Sequence, residues 1–154
     1  MELASAMSSA GKDVDAGLVE AAAALHDIGR SPLLEGDERP HSELSALILA
    51  AEGLGGLSEV ARRHIVYAIR RPELAPGTLE EKLVYYADRR AGLTVLSIDD
   101  RLREQAARFP RWAAEILACA EPVKALEREL FANLEIRPEH LHPARPFGPP
   151  GAPA

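Results

Sequence analysis

A histidine and an aspartate stand side by side at the end of an apolar, Ala- and Leu-rich segment, residues 18–25. Adjacent side chains on a helix diverge by about 100°, so His26 and Asp27 can converge only where the backbone leaves helical geometry. Gly29 provides such an exit, and Pro32 reinforces it. An imidazole nitrogen and a carboxylate oxygen then lie together, which makes half of a divalent metal site.

The residues around this pair carry a more specific pattern. Leu25-His26-Asp27-Ile28-Gly29-Arg30 resembles the hallmark of the HD superfamily of metal-dependent phosphohydrolases, which reads Leu-His-Asp-Ile-Gly followed by Lys or Arg. A lone His-Asp pair is weak evidence, but the whole hexapeptide after a helical run is much stronger. The resemblance covers about residues 2–109, and it implies an all-α fold and hydrolysis of a phosphorylated substrate.

Three further residues match positions of that superfamily. His41 opens a helix after the loop, His64 lies on the following helix, and Asp88 closes the stretch Glu-Lys-Leu-Val-Tyr-Tyr-Ala-Asp. The resemblance implies that His26, Asp27 and Asp88 ligate a primary metal ion. His41 and His64 resemble the additional ligands of the two-metal branch, which includes symmetrical dinucleoside-tetraphosphate hydrolases. In single-metal members this region instead contacts substrate or donates a proton.

The resemblance also implies the cofactor and the roles of the residues. One or two divalent ions are expected, and imidazole and carboxylate ligands suit Mn, Fe, Co, Ni, Zn or Mg without choosing among them. Asp27 and His64 are the expected catalytic residues, while Arg30 keeps a positive charge that can hold a substrate phosphate. The expected substrate is a small phosphorylated molecule, with nucleotides as the first candidates. The alternative is a degenerate HD-fold module that binds a nucleotide or a partner protein without catalysis.

Each of these residues also has a simpler structural explanation. Asp88 could be a helix-surface acid paired with Arg89 or Arg90. His41 could cap its helix, and His64 could be a half-exposed helix residue beside Arg63. None of these roles explains why all the positions match one superfamily pattern. The sequence therefore favours the metal site.

One feature departs from the superfamily pattern. Its members have another metal-binding histidine on the helix before the His-Asp helix, but residues 1–25 contain no histidine. Either the protein begins upstream, or this is a degenerate member with an open coordination position. Weaker metal affinity is the minimum expected consequence, because first-shell ligand loss usually costs more than the roughly 10–100-fold of second-shell changes.

Composition limits the class of protein. A chain of 154 residues with 47% apolar and 5% aromatic residues fits one helical domain. The net charge of −6 argues against sequence-independent nucleic-acid binding, and no apolar run reaches the roughly 20 residues of a membrane span. The single cysteine, Cys119, lies in an apolar stretch where we expect burial, and it fits a reducing cytoplasm. The N-terminus shows no signal-peptide pattern, and the sequence does not predict an oligomeric state.

Hydrophobic periodicity predicts a single all-α bundle of about seven or eight helices over residues 1–137. Asp15 is the expected cap of a helix over about 16–28, and Thr78-Leu79-Glu80-Glu81 resembles a capping box. Gly55-Gly56 is expected to break the chain before a helix that starts at Ser58 and carries Val60, Ala61, His64, Ile65, Ala68 and Ile69. Further helices are predicted at 44–51, 78–91, 97–108, 110–119 and 121–134. Residues 138–154 contain six prolines and are predicted to form a disordered tail.

Overall fold

The computed structural model describes residues 2–91 and 94–142. Within these ranges the chain forms eight α-helices, five short 3-10 turns and no strand, which confirms the all-α prediction. The helices are α1 (Glu2–Ser9), α2 (Ala16–Leu25), α3 (His41–Ala51), α4 (Gly55–Arg63), α5 (Leu79–Asp88), α6 (Ile98–Arg108), α7 (Ala113–Leu117) and α8 (Ala120–Phe131). The 3-10 turns are Ile28–Arg30, Pro32–Leu34, Val66–Arg70, Pro110–Trp112 and Pro138–His140. Across the described ranges, we find no helix with the length and apolar character that a membrane span requires.

Two helices begin at the caps that the sequence predicted. The Asp15 side chain accepts a hydrogen bond from the Leu18 N–H at 2.9 Å and so starts α2. Thr78 and Glu81 form the reciprocal capping box that starts α5. Each such cap stabilises a helix by about 1 kcal/mol, because it satisfies an N–H group that has no partner within the helix.

Other helix boundaries differ from prediction. α2 ends at Leu25 rather than near residue 28, because Asp27 leaves helical geometry (φ −100°, ψ 12°) and the next residues tighten into a 3-10 turn. Gly55 and Gly56 begin α4 instead of breaking the chain, so the predicted start at Ser58 is wrong. The chain reverses two residues earlier, at Gly53, whose φ of +76° favours glycine.

The end of α4 was also predicted too late. The helix stops at Arg63, and the segment expected to continue it forms the 3-10 turn Val66–Arg70. Two carbonyl groups just beyond α4 instead accept hydrogen bonds from a side chain of α5 and from the side chain of the residue that follows α5. Tyr85 donates to the Val66 carbonyl oxygen at 2.6 Å, and Arg89 donates to the His64 carbonyl oxygen at 3.3 Å. Tertiary contacts thus override the helical pattern of the sequence.

α5 lies at the centre of the bundle and packs against α2, α4 and α8. Its residues 83–86 are at most 3% exposed, and they share one buried core with small, fully buried side chains such as Ala22 of α2 and Ala61 of α4. Burying each large apolar side chain stabilises the fold by roughly 1.5–3 kcal/mol. This packing fixes where the C-terminal ends of α2, α4 and α5 lie relative to one another.

The second half of the chain braces the central helix. α6 packs against α7 and α8, and α8 packs in turn against α5. Cys119, which precedes α8, is fully buried, as its apolar surroundings predicted. Among the described residues of the predicted tail, Leu141 packs against the core and the Pro138 carbonyl accepts a hydrogen bond from Arg90. The tail prediction for residues 143–154 lies outside the described residues.

Candidate metal centre

The candidate metal centre forms where three helices end and a fourth begins. His26 follows α2, His64 follows α4, Asp88 is the last residue of α5, and His41 is the first residue of α3. The C-terminal end of a helix carries a partial negative charge, because its last carbonyl groups have no partner within the helix. Three such ends at one place create a potential that favours a cation.

Three of the predicted ligands lie close enough to hold one ion. His26, Asp27 and His64 each offer one ligand atom, and these atoms all lie within 4.8 Å of one another. The Oδ1 atom of Asp27 lies 3.2 Å from His64 Nε2. His41 joins this group, since its Nε2 lies 3.3 Å from Asp27 Oδ1 and 3.0 Å from His64 Nε2.

The orientation of the rings shows that the donors fit a metal ion. Nδ1 of His26 lies 2.8 Å from the Ala23 carbonyl oxygen, and Nδ1 of His64 lies 2.5 Å from the Ala61 carbonyl oxygen. A carbonyl oxygen only accepts hydrogen bonds, so each Nδ1 carries the proton, and Nε2 of a neutral ring presents a lone pair. Metal-ligating histidines characteristically donate their other N–H to a carbonyl or carboxylate in this way.

Asp27 is kept ionised although its surroundings are partly dry. Burial raises the pKa of the Asp27 carboxyl, but the nearby His64 ring and, above all, the hydrogen bond and positive charge of Arg30 outweigh burial. The pKa therefore lies well below its usual range. Its side chain is 43% exposed, which leaves the carboxylate accessible to an incoming ion or substrate.

His41 is held in its neutral form. Burial, followed by the positive charge of Arg30, lowers the pKa of His41 from 6.5 to about 4. At neutral pH its Nε2 accepts a hydrogen bond from Arg30 at 2.9 Å, so the single lone pair of this nitrogen is engaged by the guanidinium group.

Asp88 lies near this group but outside the three residues whose ligand atoms converge most closely. Its carboxylate forms an ion pair with Arg89, and Arg101 Nη2 lies 3.7 Å from its Oδ1. Burial raises the pKa of the Asp88 carboxyl, but its neighbours, with the positive charge of Arg89 as the largest influence, lower it overall. Metal ligation by Asp88 stays a prediction.

Comparison with known proteins identifies the family. The sequence model of the HD domain family matches residues 1–93, more than half of the chain. This range contains every residue of the candidate centre. The chain belongs to the HD domain family. HD domains generally bind divalent metal ions and generally are phosphohydrolases, which agrees with the donor set described above.

One relative is an uncharacterized protein of Methanocaldococcus jannaschii, MJ0778, which is 37% identical over 115 residues. The alignment covers 67% of this HD domain chain and 66% of that protein, so the chain spans just under two thirds of the relative's length. No solved structure gives a significant match.

Two features of the HD domain site were not found from the sequence. Arg89, expected at most as a surface partner of Asp88, is 2% exposed and also donates to the His64 carbonyl oxygen. Ser45 of α3 accepts a hydrogen bond from the Gly29 N–H at 2.9 Å, which holds the turn after Asp27 against α3. The only sequence signal for either was its spacing, since Arg89 directly follows Asp88 and Ser45 lies one helical turn after His41.

An open cavity of about 520 Å³ lies beside the centre, and Arg30, His41 and the loop between them line much of it. Arg39 is a further positive residue of the lining, and Glu35 and Asp37 supply negative charge. The cavity has the size of a small-molecule site, and its positive side chains lie where an anionic group could approach His41.

Proposed function

We propose that this HD domain is a metal-dependent phosphohydrolase that cleaves a phosphoester or phosphoanhydride, with a nucleotide as substrate. One observation carries the proposal. The Nε2 atoms of His26 and His64 face the ionised carboxylate of Asp27, while both Nδ1 atoms are bound to backbone carbonyls. These two imidazole nitrogens and the carboxylate direct lone pairs toward one another with no proton between them. Such a set of donors is suited to a divalent cation.

In this proposal His26, Asp27 and Asp88 would hold the primary ion. His64, whose Nε2 faces the Asp27 carboxylate, would either join them or, with His41, complete a second site or act on the substrate. A bound divalent ion supplies a polarised phosphoryl oxygen and a water molecule of lowered pKa. Asp27 orients the reacting groups through its exposed carboxylate. His64 can hold or release a proton at Nε2, which lies 3.2 Å from Asp27 Oδ1.

Size and charge support a small anionic substrate. The cavity of about 520 Å³ falls in the range of small-molecule sites, and Arg30 at its edge carries a guanidinium group, which pairs well with phosphate. The net charge of −6 does not favour a long nucleic acid. Mononucleotides, nucleoside triphosphates and dinucleoside polyphosphates are therefore the compounds to test.

A second candidate is an HD module that binds a nucleotide without cleaving it. One difference from the superfamily pattern favours this candidate, because neither α1 nor α2 carries a histidine that could supply the further imidazole ligand. The two candidates predict the same ligand, but only the enzyme releases phosphate.

The test compares Asp27→Asn with Asp99→Asn on a nucleotide panel with Mn²⁺ present. The two aspartates are equally exposed, at 43% and 41%, but Asp99 pairs with Lys124 and lies outside the candidate centre. We expect phosphate release by the wild type, its loss on chelation with EDTA, and its loss by roughly 100-fold or more in Asp27→Asn. Asp99→Asn should keep wild-type turnover. Nucleotide binding without phosphate release by any form would favour the binding module.

A further inference from the structure

Arg30 lies among the metal-binding groups rather than free in the cavity. Its Nε donates to Asp27 Oδ1 at 2.8 Å, and its Nη2 donates to His41 Nε2 at 2.9 Å. The sequence suggested only that this residue could hold a substrate phosphate. In the structure its donors are directed toward two of the side chains that the proposed function assigns to the metal.

The groups that meet at this point are otherwise acceptors. Asp27 Oδ1, His41 Nε2 and His64 Nε2 lie within 3.3 Å of one another. His64 Nδ1 carries its proton toward the Ala61 carbonyl, so its Nε2 presents a lone pair when the ring is neutral. Arg30 supplies the N–H donors and the positive charge that compensate two of these acceptors. A divalent ion would need the same lone pairs.

We propose that Arg30 competes with the metal ion for Asp27 and His41, and that metal loading frees its guanidinium group to bind the substrate phosphate. This inference rests on the proposed function, because it requires the metal centre. The Arg30 side chain is 46% exposed and already lines the cavity of about 520 Å³, so it has room to turn away from Asp27. One side chain would then couple two binding events.

This coupling has a definite thermodynamic consequence. If metal binding frees Arg30 for phosphate, then metal raises the affinity for phosphate, and phosphate raises the affinity for metal by the same factor. A guanidinium group that only stabilised the Asp27 carboxylate would behave differently. Its removal would weaken metal binding or leave it unchanged, whereas removal of a competitor strengthens it.

The experiment measures Mn²⁺ binding by isothermal titration calorimetry to the wild type, Arg30→Gln and Arg39→Gln. Arg39 lines the same cavity, but its guanidinium bonds Asp37 and not a candidate ligand, so its removal controls for the lost charge. We expect Arg30→Gln to bind Mn²⁺ roughly three- to tenfold more tightly than Arg39→Gln, the range for losing partly exposed ion contacts. Arg30→Lys, which keeps the charge but not the two-donor fork, should fall between wild type and Arg30→Gln.

A second titration uses inorganic phosphate on the Mn²⁺-loaded proteins. Arg30→Gln should bind phosphate roughly tenfold more weakly than the wild type, since a charge-assisted contact is lost. Tighter Mn²⁺ binding together with weaker phosphate binding is the signature of one residue serving both sites. Tighter Mn²⁺ binding with unchanged phosphate binding would overturn the transfer of Arg30 to phosphate.

The remaining outcomes separate this inference from the proposed function. If the wild type binds Mn²⁺ and Arg30→Gln binds it no more tightly than Arg39→Gln, the competition is overturned while the metal centre stands. If no form binds Mn²⁺ although circular dichroism shows each to be helical, the metal centre itself is wrong, and the inference fails with it.

Discussion

At the scale of single residues, the candidate ligands are held in place by protein contacts. Backbone carbonyls of Ala23 and Ala61 fix the rings of His26 and His64. Arg89 connects the Asp88 carboxylate to the His64 carbonyl, so two parts of the centre share one buried guanidinium group. Such contacts orient ligands before an ion arrives and reduce the ordering that binding requires.

The first prediction concerns Arg89→Leu in metal-free protein. Arg89 is 2% exposed, and its removal would leave the Asp88 carboxylate, whose side chain is only 18% exposed, with the more distant Arg101 as its ion-pair partner. We expect a loss of roughly 3 kcal/mol in the free energy of unfolding, the usual cost of breaking a buried ion pair from one side. Urea denaturation measures this loss.

Arg103→Leu is the matched control for that prediction. Arg103 pairs with Asp100, and both side chains are more than 60% exposed, so its loss should change stability by about 0.5 kcal/mol or less. The double variant Asp88→Asn with Arg89→Leu should recover part of the stability, because no charge is left buried alone. Equal stability of the two single variants would show that the Asp88–Arg89 pair contributes little to the fold.

The residue-scale predictions from sequence rest on local signals or on the family pattern. His26 and Asp27 were expected to meet because the helix had to end at this point, and the structure brings them together with His64. The contacts of Arg30 with His41 and of Arg89 with the His64 carbonyl were not predicted. Both depend on how separate elements pack, which periodicity and residue spacing do not specify.

At the scale of elements, the turn after Asp27 is held against α3 by its glycine. A Cβ atom on Gly29 would lie 2.2 Å from the His41 carbonyl oxygen and 2.6 Å from the Ser45 nitrogen. These atoms belong to the backbone of α3 and cannot turn aside as a flexible side chain could. The close approach brings His41 within 3.3 Å of Asp27, so this glycine shapes the candidate centre.

The second prediction is that Gly29→Ala destabilises the protein by roughly 2 kcal/mol or more, because the turn must move away from α3. Mn²⁺ affinity should fall as well, since His41 separates from Asp27. Gly55→Ala is the control, because a Cβ at Gly55 meets no atom within 4 Å. Thermal unfolding and Mn²⁺ titration of both variants check the prediction, and equal behaviour of the two would contradict the close-packing argument.

The elements show clearly which boundaries a sequence can predict. Caps are local, so Asp15 and the Thr78–Glu81 box marked helix starts correctly. The end of α4 depends on Tyr85, which lies 19 residues beyond Val66 in the sequence. The Tyr85 hydroxyl donates a hydrogen bond to the Val66 carbonyl oxygen. No pattern within α4 itself carries that information.

At the scale of the whole molecule, the bundle brings the C-terminal ends of α2, α4 and α5 to one place. Composition and periodicity predicted the all-α class but not which helix ends meet. The expectation that His26, Asp27 and Asp88 lie together came from the family resemblance, and membership of the HD domain family agrees with it. The helices beyond residue 93 lie outside the matched range, and they brace α5 through α8 rather than contribute a predicted ligand.

The third prediction concerns the C-terminal residues and compares truncation after His142 with truncation after Arg137. Truncation after Arg137 removes Leu141 from the core, the Pro138 carbonyl that Arg90 contacts, and the His142 N–H that donates to Glu2. We expect it to cost roughly 1–2 kcal/mol of unfolding free energy, or a few degrees in melting temperature, relative to truncation after His142.

Truncation after His142 is the control. Its melting temperature should match that of the full chain within about a degree, as the predicted absence of a packed core in residues 143–154 requires. If the form truncated after His142 melted at a much lower temperature than the full chain, residues 143–154 would have to pack as part of the domain.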